Sequence, residues 1–485
     1  MNRQVLKTEQ KALEINLNDK IYGTFSEIGA GQEVARNFFQ VGAAAGTVAK
    51  TMSAYDKTYS DTIYGGKSAG RYVSEKRLNK MLDHEYRLME ERLLNSRTDT
   101  CFFAFADTVQ AINYSRTVKG NGWMGLRFQC APNGPFNDFI LHVRMLDSNN
   151  RQQQEAIGVL GVNLIYAAFM YRGSPEEMVL SLIDGLKSRI KIDMVRISGP
   201  DLEKIDNRLL SLYLVKHALS NVAIFDENHK SIHASEFLYK KNLMVVRGNF
   251  KPPTVVSVDA FATSFSQFVN EAGSNKENSE FIAEITLENL TRDHELDEKD
   301  YLDRANLLCA LGKKVMVTNC TNHQGLIDYL RDYKIQRLGL VIGAIELQKL
   351  FVKKYKENKN GRLLVAFGEL FTQNITVYVY PAKFGSDNAL LTLKTMSIPD
   401  GIKFLYYHLL EQKQIVDVEG FNQKLLDIIP SEVLVGLRTL GNTAWEKALP
   451  PKLVQVIKEK KAFGYQDVNK TNNSQNIETN DARYF

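Results

Sequence analysis

From Ile190 onward, short apolar runs alternate with amphipathic stretches, and no other feature restricts the fold so tightly. The runs are "IKIDMVRI", "NVAIFD", "LMVVRG", "FIAEITL", "KVMVTN", "RLGLVIG" and "ITVYVYP". Each is short, rich in branched residues and bounded by Gly, Pro, Asn or Asp, as buried strands are. Between them, 202–219, 259–270, 300–311, 324–333 and 346–355 carry helical spacing, with cap residues such as "GPD" and "TNH" where helices should begin. Strand, helix and strand at this interval build βαβ units and a largely parallel sheet, so the fold class expected is α/β. Counted from "DFILHVRML", the strand-like runs number eight. Eight strands suit a closed (β/α)8 barrel and an open doubly wound sheet equally well, because a count carries no information about closure.

The flanks read differently. "RYVSEKRLNKMLDHEYRLMEERLLNSR" places Leu78, Leu82, Leu88 and Leu93 at helical spacing among charges, which predicts an amphipathic helix. Helical patterns return after Pro381, and Pro450-Pro451 suits the start of the last one. The expected organisation is a mainly helical region over 1–98, an α/β core over 99–385, a helical region over 386–465 and a polar, disordered tail over 466–485.

Composition excludes more than it assigns. The 61 Lys and Arg against 56 Asp and Glu leave a formal charge of +5, without the clustered basic face that nucleic-acid binding requires. Four cysteines without a C-x-x-C pair give neither a disulfide framework nor a zinc ribbon. The polar start lacks the apolar core of a secretory signal, and no apolar run reaches the roughly 18 residues of a membrane span. A cytoplasmic protein without a membrane partner is expected.

Two phosphate templates fail at "SEIGAGQEVARNFFQVGAAAGTVAKTMSAYD". Gly29-Ala30-Gly31 lacks the third glycine of G-x-G-x-x-G, and Gly42 to Gly46 is not followed directly by Lys and Ser or Thr. Gly42, Ala45, Gly46 and Ala49 instead suggest one small-residue helical face for close packing or self-association. A homo-oligomer follows from that reading, and a residual phosphate contact near Gly29-Ala30-Gly31 is the lesser one.

Strand ends are the better place for a site, since ligands of parallel α/β folds bind at the carboxyl ends. "VVRGNFKPPT" sets Arg247 and Lys251 around Gly248 just after a strand, and then fixes the backbone with two prolines. Arginine offers a planar fork to phosphate or carboxylate, and glycine admits the backbone N–H groups. Asp201, Asp226 and Asn319 stand at other strand ends as polar partners. The expected ligand is a phosphorylated or carboxylated small molecule. No residue is assigned a catalytic role, no cofactor is named, and His229 and His233 lack the H-E-x-x-H context of a metal site.

Together with "RYVS", "FFAFADTV", "EAIGVLGVNLIYAAF", "DNRLLSLYLV" and "LYKKNLMVVRGNFKPPT", the glycine-rich stretch resembles a bacterial family of similar length. The resemblance spans the chain except for about the last twenty residues. Names attached to such proteins include nicotinate- or nicotinamide-nucleotide adenylyltransferase and TonB-dependent receptor. The second requires a signal peptide and many membrane strands, which the sequence lacks. The first would show an H-x-G-H-type motif or its threonine variant and an S-x-T-x-x-R-type motif, and neither follows a predicted strand. The resemblance implies a bacterial cytoplasmic protein and carries over no site residues.

Overall fold

The computed structural model describes residues 3–65, 71–271, 276–292, 295–358, 361–368, 370–371, 374–384 and 388–467. The tail expected over 466–485 lies outside them from residue 468. The fold is α/β, as the alternation of runs requires. The chain divides into two compact units, Met1–Ala223 and Ile224–Phe485. That division differs from the expected helical–α/β–helical one, because the N-terminal region contributes strands.

The first unit is built on six strands: β1 (Ile21–Gly29), β2 (Val48–Ala54), β3 (Cys101–Gln110), β4 (Asn121–Gln129), β5 (Phe136–Met145) and β6 (Ile190–Ser198). Their order is β2-β1-β3-β4-β5-β6. β1 runs parallel to β2 and β3, and β3 to β6 form an antiparallel meander. Side chains alternate across the sheet, so Phe103 and Phe105 join Phe25, Phe38 and Leu160 on one face. Phe102, Ala104 and Ala106 meet Leu78, Met81, Leu82 and Tyr86 on the other. Those last four belong to the helix Glu75–Leu93, which forms as its spacing predicts, with the Ser74 hydroxyl accepting the Arg77 N–H at 3.2 Å.

Gly42, Ala45, Gly46 and Ala49 do not share a helical face. The helix Val34–Gln40 stops where Gly42 and Ala43 turn left-handed, at φ +83° and +57°. Ala45 and Gly46 then lie in a 3-10 turn and Ala49 on β2, all exposed. Close helix packing occurs elsewhere, along Asn150–Met170. A Cβ on Gly161 would stand 2.4 Å from Val34, and one on Gly158 2.7 Å from Glu33. These two glycines let the helix lie against Val34–Gln40, and they were the small-residue pair that mattered.

The second sheet has order β18-β15-β14-β9-β10-β13-β7-β8. Its strands are β7 (Val222–Phe225), β8 (Ser231–Ile232), β9 (Asn242–Arg247), β10 (Ser279–Thr286), β13 (Lys314–Thr318), β14 (Arg337–Gly343), β15 (Ile375–Tyr380) and β18 (Ile415–Asp417). Two hairpins complete the strands: β11 (Thr291–Arg292) with β12 (Glu295–Leu296), and β16 (Ala382–Phe384) with β17 (Ala389–Leu391). From β18 to β13 neighbouring strands pair in parallel, and β8 pairs antiparallel with β7. The sheet is open. The eight runs counted from the sequence were shared between two sheets, since those beginning at Asp138 and Ile190 are β5 and β6 of the first.

The path through this sheet sets up the site. The chain moves outward from β9 to β10 and β13, returns to the far side of β9 as β14, and moves outward again to β15 and β18. Its direction reverses between β9 and β14. Helices leaving neighbouring strands there go to opposite faces and open a crevice at the carboxyl ends.

Candidate functional site at the strand reversal

The crevice has a volume of about 720 Å³ and is walled by the loop Arg247 to Pro252, the start of the helix Val255–Asn270, Arg304, Gly343 and Tyr380. Sequence explains the loop. A Cβ on Gly248 would lie 2.9 Å from the Phe250 ring, so only glycine lets the chain fold over that ring. Thr254 then caps the helix, with its N–H donating to the Ser257 hydroxyl at 3.3 Å. The Thr254 hydroxyl itself is fully buried and makes no hydrogen bond.

The cations here differ in how far they are committed. Arg247 stands opposite Glu284 in the β9–β10 register and makes a two-point contact with it, Nε to Oε2 at 2.9 Å and Nη2 to Oε1 at 2.8 Å. Glu284 is fully buried and also accepts the Thr318 hydroxyl at 2.7 Å. Arg247 therefore ties strands together, and its charge is matched. Lys251 and Arg304 instead share one acid. Lys251 Nζ lies 2.5 Å from Asp300 Oδ1, and Arg304 contacts the other Asp300 oxygen. Arg304 also donates to the Asn249 carbonyl at 3.0 Å, which fixes the loop. Two cations thus converge on one carboxylate. Nearby, burial together with Arg247 and Lys354 pushes the His323 imidazole down to about 3, so it stays neutral.

The structure brings Arg247, Gly248 and Lys251 together in one crevice. Asp226 holds a turn instead, accepting the Asn228 and Lys230 N–H groups at 2.9 and 2.8 Å. Asn319 follows β13 as an exposed residue away from the described lining. Asp201 belongs to the first unit, where Asn137 donates to it at 2.9 Å. Sequence reading missed Thr254, Asp300 and Arg304. Pro-Pro-Thr before an apolar helix was a signal for the first. Nothing short of the tertiary fold pairs Lys251 with a residue on the helix Glu298–Ala310.

At Gly29-Ala30-Gly31 no anion contact is available at the following helix. Glu27 Oε1 already accepts the Val34 N–H at 2.7 Å and the Ala35 N–H at 3.4 Å. Gly31 lies hard against Asp107, whose Oδ1 would be 2.0 Å from an added Cβ. The opposing carboxylates fill the place that a phosphate would need.

No family model matches the chain, and no curated protein does. Among solved structures it is similar to the competence/damage-inducible protein CihA from Agrobacterium tumefaciens, at 18% identity and a TM-score of 0.25. That match covers 34% of this chain and 98% of the other. It is also similar to the Plasmodium falciparum nicotinic acid mononucleotide adenylyltransferase complexed with APC, at 13% identity and a TM-score of 0.29, covering 47% of this chain and 98% of the other. A competence- or damage-inducible protein from Enterobacter asburiae matches at 14% identity and a TM-score of 0.25, over 34% of this chain and 99% of its own. Among the described residues no helix is long and apolar enough to cross a membrane.

Proposed function

We propose that the second unit binds a phosphorylated small molecule in the crevice between β9 and β14. Its anionic group would stand at the start of the helix Val255–Asn270, beside Lys251, Arg304 and the Thr254 hydroxyl. The observation carrying this reading is the coincidence of the strand reversal with two cations, Lys251 and Arg304, that converge on Asp300. Three effects then favour an anion at one place: the N-terminal dipole, the first-turn N–H groups and those two cations. The buried Thr254 hydroxyl adds a donor that the protein leaves unused.

A phosphate suits these groups better than a carboxylate, because it presents enough oxygens to meet Lys251, Thr254 and the backbone together. No described lining residue is a histidine or a carboxylate. Chemistry at this crevice would therefore rest on placement and charge stabilisation of the phosphorylated group rather than on proton transfer by the wall.

The test is a thermal-shift and calorimetry screen of nucleotides and sugar phosphates, followed by Lys251→Met and Thr254→Val. A ligand at about a hundred times its Kd should raise the melting temperature by roughly 5 °C or more. Lys251→Met should weaken that ligand at least about tenfold while leaving the fold intact. The proposal fails if no phosphorylated compound shifts the transition, or if a ligand that does bind is indifferent to both substitutions.

A further inference from the structure

Cys101 opens β3 and Cys130 follows the last residue of β4. The β3–β4 register pairs Phe103 with Phe128, and one more step outward on the same face sets Cys101 opposite Cys130. Both belong to the side of the sheet that carries Phe103, Phe128 and Leu126. The type of pair follows from hydrogen bonding. The Cys101 N–H donates to the Lys20 carbonyl at 2.8 Å, toward β1 and away from β4. The next residue, Phe102, turns its N–H the other way, to Gln129 Oε1 at 2.8 Å. Cys101 and Cys130 are thus a non-hydrogen-bonded cross-strand pair, whose Cα atoms ordinarily stand about 4.5 Å apart. Disulfides span Cα separations of about 4.4–6.8 Å, so the pair lies inside the bonding range.

The two thiols are not equivalent. Cys101 is 9% exposed, whereas Cys130 is only partly buried. Arg172 donates to the Cys130 carbonyl at 3.1 Å, and Asn137 Nδ2 reaches its sulfur at 3.5 Å. Burial pushes both thiols upward, Arg172 opposes that push at each, and Asp201 adds to it at Cys130. A cation and an amide donor beside the more accessible sulfur make Cys130 the attacking group, while Cys101 is placed to resolve.

We propose that Cys101 and Cys130 are a redox pair that closes into a cross-strand disulfide on meeting a low-molecular-weight disulfide. The Cys130 thiolate attacks one sulfur of oxidised glutathione and expels a glutathione thiolate. The Cys101 thiolate then attacks the Cys130 sulfur of the mixed disulfide and expels the second. Two protein thiols are oxidised to one disulfide, one glutathione disulfide is reduced to two thiols, and the two protons that the protein thiols lose are taken up by the departing glutathione thiolates, so none is released net. The reaction is slow at neutral pH, because little of either thiol is ionised, and it quickens as pH rises. Its product clips the first strand of the meander to the second.

The experiment incubates the full-length chain with oxidised glutathione, quenches with acid and maps disulfides by mass spectrometry beside a count of free thiols. The expected product has lost two hydrogens, joins the peptides holding Cys101 and Cys130, and retains two of the four thiols, those of Cys309 and Cys320. Cys101→Ser should instead trap a stable glutathione adduct on Cys130, and Cys130→Ser should suppress reaction at Cys101. The oxidised chain should melt several degrees higher until a reductant is added. A lasting adduct on unsubstituted chain, pairing with Cys309 or Cys320, or four unreacted thiols after prolonged incubation at pH 8.5 would each overturn the assignment.

Discussion

Each unit places two polar side chains opposite one another on neighbouring parallel strands, close to the carboxyl ends. In the second unit the pair is Arg247 with Glu284. In the first it is Glu27 with Asp107. The environments match, for both acids of the first pair are buried and Glu284 is too. The electrostatic solutions are opposite. Glu284 faces a two-point guanidinium partner. Among the described residues no cation pairs with Glu27 or Asp107: they face each other, Glu33 and a few backbone N–H groups, and one Asp107 oxygen makes no hydrogen bond. Burial, with Glu33 nearby, pushes Glu27 up to about 7, and burial with the Glu27 charge holds Asp107 well above the usual carboxylate range. One unit fixes its buried acid with a cation, and the other does so by retaining a proton.

Breaking the ion pair should have the largest effect. Arg247→Met strands Glu284 in the interior and should cost about 3–5 kcal/mol in urea unfolding of the second unit. The two tryptophans, Trp123 and Trp445, fall one in each unit, so single Trp→Phe backgrounds report each transition separately. Arg247→Met with Glu284→Gln should recover part of the loss. An equal loss in the double variant would mean that the pair is not the unit of stability.

The carboxyl pair should show itself through pH. Both acids bind protons more tightly when folded, so between about pH 4.5 and 7 the native state holds more protons than the unfolded chain. Stability of the first unit must then fall as pH rises through that window, by an amount of order 2–3 kcal/mol. Asp107→Asn should flatten the decline. A flat profile in the unsubstituted chain, or an unchanged slope in the variant, would remove the proton-sharing account.

Glycine substitutions sharpen a second contrast within the first unit. Gly161→Leu forces a side chain into Val34 and should cost about 1–3 kcal/mol or more, whereas Gly46→Leu at its exposed turn should stay within about 0.5 kcal/mol. Equal losses would return Gly46 to the packing role that its spacing suggested. The smallest effect is expected in the crevice. Asp300→Asn removes the carboxylate between Lys251 and Arg304, and should tighten binding of a phosphorylated ligand a fewfold, most visibly at low salt. Weaker binding would mean that Asp300 serves chiefly to orient the two cations.

What the sequence disclosed follows from how locally each feature is encoded. The parallel sheet of the second unit was legible because its buried strands are continuous apolar runs, and the loop after β9 was found by its own composition. β1 was not. It carries Thr24, Ser26 and Glu27 in a strand whose residues are nearly all buried, so it shows neither alternation nor a continuous apolar run. Its polar side chains are satisfied by partners far along the chain, such as Tyr64 on Ser26 at 2.8 Å. The pairings of Glu27 with Asp107 and of Lys251 with Asp300 depend on register and helix placement, which no local pattern carries. Gly158 and Gly161 were in plain view within "EAIGVLGVNL", but only contact with Val34–Gln40 separates them from the idle glycines at 42 and 46.

The retained proton also alters how the molecule should migrate in an electric field. The formal charge of +5 treats every carboxyl as ionised. With one proton held between Glu27 and Asp107, the folded chain runs as if one unit more cationic than its unfolded form at the same neutral pH. Asp107→Asn then becomes electrophoretically silent, because the acid it removes is the one that already holds the proton. Capillary electrophoresis of native protein beside Asp107→Asn would read that silence directly.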